Sequence, residues 1–191
     1  MDFHTLCIGC RTYRRFEQKE IPEEILTELL ENARVANSAM NGQVLRYVLV
    51  KSQEIVKKLQ PYFHFAAALP KELGQPKEEE QPTAFIILCT EGPETPWTGI
   101  DIGIAVRTMN LNAYIHGVGS CIIGNVEFEK VKEILSIPET WIPRLALALG
   151  YPSHKSSLVE LPEDGSIKYY LDEECQYYVP KRKQEDISII R

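Results

Sequence analysis

The residues best suited to chemistry stand near the start of the chain. Arg11, Arg14 and Arg15 lie within five residues of one another, and a second basic cluster, Lys181-Arg182-Lys183, follows Pro180. Arginine grips phosphate through a planar fork and lysine as a point charge. Each cluster alone reads as an ordinary solvated basic face. In a chain of formal net charge −6, two concentrated basic spots also fit convergence on one anionic ligand. Between them lies Asn37-Ser38-Ala39-Met40-Asn41-Gly42-Gln43, a polar loop whose amides and hydroxyl can donate and accept. It serves either as a plain helix-to-strand connection or as a reader of a heterocycle's edge.

Cys7-Ile8-Gly9-Cys10 is a C-x-x-C pair. It lacks the strand-then-helix setting of a redox dithiol, so two reduced thiols at a helix end is the better reading. No G-x-G-x-x-G follows a strand and no P-loop lysine occurs, which removes the usual dinucleotide and triphosphate signatures. The histidines at 4, 64, 116 and 154 give no zinc spacing, and no metal site is expected.

The elements that must position these residues follow from periodicity. A helix starts at Pro22, with Glu23 and Glu24 favoured in its first turn and Ile25, Leu26, Leu29, Leu30 and Ala33 on one stripe. Residues 47–50 read as a strand and 54–60 as a short helix, with Ser52 a candidate N-cap. Residues 70–83, rich in proline and glutamate, read as a mobile surface segment. The apolar run 84–89 is a buried strand. A long helix over 100–116, apolar on most sides, ends at Gly117. A strand over 118–123, a short helix over 128–135 and a strand over 145–149 follow. The tail from Ser153 is polar with few helical cues, yet Ile187, Ile189 and Ile190 should pack on something. This mix is that of an α+β layer architecture.

With 191 residues, 44% of them hydrophobic and 25% charged, the chain matches one globular domain able to bury a core unaided. The acidic balance argues against nucleic acid as a partner. No apolar stretch is long enough to span a bilayer, so no membrane is expected. The first residues lack the layout of a secretory signal. Five scattered cysteines make no disulfide framework, and a reducing cytoplasm is the expected location.

Taken in order, several segments resemble the nitroreductase family of flavoenzymes. Arg11-Thr12-Tyr13-Arg14-Arg15-Phe16 is similar to its R-S-x-R-x-F opening. Ala36-Asn37-Ser38-Ala39-Met40-Asn41-Gly42-Gln43 resembles its A-P-S-x-x-N-x-Q segment. Asp101 to Gly124 resembles its buried helix and G-x-G-[ST]-C-x-I-G turn, and Gly150-Tyr151-Pro152 and Pro180-Lys181-Arg182-Lys183 match its late markers.

The resemblance implies a three-layer α/β/α fold with a mostly antiparallel central sheet. It implies one domain over 1–191, with a C-terminal extension from about 180 wrapping the partner of a homodimer. FMN would be the bound cofactor and NAD(P)H the co-substrate, with ping-pong hydride transfer to a small electron-poor acceptor such as a nitroaromatic, quinone or enone. Arg11, Thr12 and Arg14 would contact the phosphate, ribitol and pyrimidine end, Arg14 facing the N1–C2 charge of reduced flavin. Ser38, Ala39, Asn41 and Gln43 match the loop that reaches the partner's flavin. Ile122, Ile123, Gly124 and Asn125 match the turn over the ring. Lys181, Arg182 and Lys183 would complete the phosphate site. The same fold also hosts reductive dehalogenation, ring oxidation and flavin fragmentation, and a non-enzymatic flavin store is a further alternative. Cys10 departs from the pattern, standing where many members carry a further basic residue. Asn37 replaces a proline, and Val44-Leu45 replace Pro-Trp. The family's mid-chain flavin contacts and lid, sought in residues 60–83, have no recognisable counterpart.

Overall fold

The apolar run from Ala84 forms the spine of the sheet. The structure is a computed structural model that describes residues 1–66 and 69–191. In chain order the elements are α1 (Phe3–Gly9), β1 (Phe16–Glu17), α2 (Glu23–Val35), β2 (Leu45–Val50), α3 (Gln53–Leu59), α4 (Lys71–Gly74) and β3 (Ala84–Glu91). Then come α5 (Thr98–Ile115), β4 (Gly119–Ile123), α6 (Phe128–Leu135), β5 (Trp141–Pro152), β6 (Ser156–Glu160), β7 (Tyr170–Leu171) and β8 (Tyr177–Lys181). The main sheet runs β2-β3-β5, and the far edge of β5 carries β4 and then β1. Every pair in it is antiparallel.

Because side chains alternate across a strand, the continuously apolar β3 feeds two cores. Ile86 and Leu88 pack with α2 and α5 through Leu26, Leu29, Val106 and Met109. Phe85, Ile87 and Cys89 pack with α3 and α6 through Val56, Leu59 and Val131. Helices therefore cover both faces, giving the expected three-layer arrangement. Pro22 serves as the N-cap of α2 and not as its first helical residue.

One segment departs from its sequence expectation. Residues 70–83 are not a loose surface segment. Glu80 pairs with the buried Arg15 at 3.0 Å, the Leu73 carbonyl accepts from the same guanidinium at 2.9 Å, and the Gln75 amide bridges the backbone of Phe63 and Phe65. The polar composition that suggested solvation supplies these bonds instead. The search region for a lid, 60–83, includes residues 67 and 68, which lie outside the described residues.

The polar tail also carries structure: β6 pairs in parallel with β8, and β7 pairs antiparallel to it. Tyr177 of β8 is fully buried, and Tyr170 stacks on Tyr178 with ring centres 5.2 Å apart. Ile187, Ile189 and Ile190 form no strand within the chain and stay 69%, 81% and 90% exposed. Packing of these residues is thus not met inside one chain.

Candidate cofactor site

Two glycines bring the N-terminal run onto the sheet. Gly119 of β4 faces Gly150 of β5. A Cβ at Gly119 would lie 2.9 Å from the Tyr13 ring, and one at Gly150 would lie 2.7 Å from Phe16. Their absent side chains let residues 12–16 lie against the sheet edge. The Tyr13 N–H donates to the Ser120 carbonyl at 2.9 Å, and Thr12 bridges Ser120. The run is thus extended backbone held by β4 and β5, beyond the end of α1 at Gly9.

Arg11 and Thr12 consequently face a cavity of about 310 Å³, closed by Cys10, Ile122 and the α5 residues Arg107 and Asn110. Among the described residues no carboxylate lines it. The Arg11 Nη2 donates to the Cys7 carbonyl, while its Nε is buried without a partner. Thr12 and Ile122 are exposed. Strand alternation sends the neighbouring Ile123 into the core beside Val131, so only its backbone is left to meet a ligand. Gly124 and Asn125 are exposed, and the Asn125 carbonyl accepts from the His64 N–H at 3.0 Å.

Arg14 does not line this cavity. Its guanidinium lies over the Tyr169 and Tyr177 rings, 4.7 and 5.1 Å from their centres, a cation–π arrangement. Its Nε is buried without a partner. Its backbone N–H donates to His154 Nε2 at 3.0 Å, while His154 Nδ1 lies 3.0 Å from the Lys155 carbonyl. Those two contacts require the tautomer protonated at Nδ1. Burial pushes the His154 pKa below 6.5, and the cations Arg15 and Arg14 lower it further. Arg15 is buried and structural, bound to Glu80, Leu73 and the Tyr177 hydroxyl.

The 38–43 loop lines a different cavity, of about 500 Å³. Ser38 and Gln43 face it with the end of α2, Tyr47 and Asp101. Three non-glycine residues here, Met40, Asn41 and Gln43, have φ of 51°, 54° and 47°. Such left-handed backbone is disfavoured unless its surroundings impose it, and it clusters at functional sites. The restraint is visible. The Ala39 N–H donates to the buried Asp101 carboxylate at 2.9 Å, and the Gln43 N–H donates to Ser38 Oγ at 3.3 Å.

A single chain thus brings Arg11, Thr12 and Ile122 together, and groups Ser38 with Gln43 around a separate cavity. Lys181, Arg182 and Lys183 are exposed at the end of β8, outside the lining of either cavity. Sequence reasoning did not single out Arg107, His154 or Tyr169. Asp101 was recognised only as the start of a segment, although a carboxylate opening an apolar helix was a usable signal.

The model of the nitroreductase family matches residues 9–151. The chain belongs to this family. Among relatives, a Methanothermobacter thermautotrophicus protein bearing the name NADH dehydrogenase/NAD(P)H nitroreductase is 27% identical over 158 residues, covering 79% of this chain and 78% of that one. An FMN reductase [NAD(P)H] of Bacillus subtilis is 26% identical over 172 residues, covering 77% of this chain and 64% of that one. The crystal structure of a nitroreductase family protein from Streptococcus pneumoniae superposes with a TM-score of 0.68 at 19% identity, over 87% of this chain and 99% of that one. The nitroreductase fold inferred from sequence is therefore the fold observed. Among the described residues no helix is long and apolar enough to cross a membrane.

Proposed function

We propose that this member of the nitroreductase family is an FMN-dependent NAD(P)H oxidoreductase acting as a homodimer in the cytoplasm. The observation that carries this reading is Arg11, with its buried and partnerless Nε, facing a carboxylate-free cavity beside Thr12 and Ile122. An orphaned buried donor is costly unless a ligand satisfies it. The relatives named for FMN reductase and NAD(P)H nitroreductase activity support the cofactor and co-substrate.

In this reading Arg11 and Thr12 bind the phosphate and ribitol, and Lys181, Arg182 and Lys183 complete the phosphate site. Arg14, fixed against Tyr169 and Tyr177, places positive charge near the pyrimidine end, where it favours the anionic reduced form. Ile122, Ile123, Gly124 and Asn125 cover the ring edge, chiefly through backbone. The chemistry FMN supplies when bound is hydride transfer, from NAD(P)H in one half-cycle and to an electron-poor nitroaromatic, quinone or enone in the other.

The dimer reading rests on α5, whose exposed Ile100, Gly103, Ile104 and Arg107 recur at helical spacing. A second copy laid along this stripe would bring Ser38, Ala39, Asn41 and Gln43 to its partner's site. Residues from about 180, ending in the exposed isoleucines, would wrap that copy as an extension of the single 1–191 domain. The test is the purified protein's absorbance and mass in solution. A yellow dimer with one FMN per chain, turning over NAD(P)H with quinones, is expected. A colourless protein that ignores added FMN, or a flavin-loaded monomer, would overturn the reading.

A further inference from the structure

We infer that Arg107 of α5 is a further phosphate-binding cation of the flavin site. The inference rests on the FMN reading and adds a residue to it. Arg107 and Arg11 line the same carboxylate-free cavity from two different elements, the helix and the N-terminal run. Among the described residues neither forms an ion pair. Arg15, Arg34, Arg46 and Arg144, by contrast, each hold a glutamate.

The setting of Arg107 is unusual for a merely solvated arginine. It interrupts an exposed apolar stripe, following Ile100, Gly103 and Ile104. The only carboxylate of α5, Asp101, lies six residues earlier, about 9 Å along the axis. That carboxylate lines the other cavity and holds Ala39. If a second copy covers this stripe, Arg107 loses water, and a desolvated guanidinium needs an anion.

Cys10 aims the group without neutralising it. Its Sγ accepts from Arg107 Nη1 at 3.4 Å and donates to the Asn110 carbonyl at 3.4 Å. Burial raises the pKa of this thiol, so it stays uncharged beside the guanidinium. The positive charge of Arg107 is therefore left for a ligand, and a phosphate dianion is an anion that guanidiniums lining one cavity can share.

The discriminating probe is a pair of flavins that differ only in the phosphate. FMN and riboflavin are titrated by fluorescence quenching into the wild-type protein, R107Q and R107K. The inference predicts that R107Q weakens FMN about ten- to a hundredfold, as for one charge-assisted contact, leaves riboflavin within about threefold, and that R107K recovers part of the loss. Equal FMN affinity in wild type and R107Q overturns it. So does an equal loss for both flavins, which marks a structural role. Wild-type protein that binds neither flavin overturns the FMN reading itself, a result distinct from the other two.

Discussion

Replacing Asp101 with alanine tests how the strained loop is held. The Asp101 carboxylate is 4% exposed and accepts the Ala39 N–H at 2.9 Å. A hydrogen bond to a charged acceptor is worth about 1.5–3 kcal/mol. Against it stands the left-handed backbone of Met40, Asn41 and Gln43, each residue costing roughly 1–3 kcal/mol where a side chain is present. Without the anchor the loop relaxes toward ordinary φ, and a ligand must restore it on binding. A loss of about 2 kcal/mol corresponds to about thirtyfold weaker FMN binding. Asp101→Asn keeps an oxygen acceptor in place and should stay within about fivefold of wild type. Fluorescence titration gives the affinity, and a urea midpoint separates loop release from global unfolding. Unchanged FMN affinity in Asp101→Ala, with the protein folded, would refute the anchoring argument.

Gly150→Ala should destabilise the fold by about 1–3 kcal/mol through overpacking on Phe16, and should weaken FMN as the Arg11 run is pushed off the sheet; urea melts and titration read both. Arg15→Met removes the pair with Glu80 and its contacts to Leu73 and Tyr177; with Glu80 only partly buried, the loss should be about 2–4 kcal/mol by urea melt. His154 has a folded pKa below its ordinary 6.5. The unfolded chain therefore takes up the proton first, so this contribution is complete above pH 6.5 and is lost as pH falls from there toward the folded value. Urea midpoints should fall over that window in wild type, and fall less in His154→Gln.

What was legible in the sequence was whatever local pattern dictates. The Ala84–Cys89 run could only be a buried strand, and the apolar length of α5 announced a central helix. The glycine landmarks had a physical meaning that spacing alone did not reveal, since Gly119 and Gly150 matter through Tyr13 and Phe16, far away in the chain. The tail sheet was illegible because β6 and β8 are short and paired across a long insertion. Alternation along β4 already separated Ile122 from Ile123, a distinction the motif hid. By residue type and spacing alone, Arg15 and Arg14 looked equivalent to Arg11. Only packing shows Arg15 committed to Glu80, Arg14 laid on two tyrosines and Arg11 turned toward a cavity. Arg107 carried no sequence signal, because a lone arginine in a helix is usually just a solvated one.

The most direct test of the account is the visible spectrum of the purified protein, saturated with FMN under anaerobic conditions and then given NADH or NADPH. Bound flavin is expected, its oxidised band bleaching with at least one of the two nucleotides and returning when a quinone is added. A bound flavin that dithionite reduces and neither nucleotide does would contradict it.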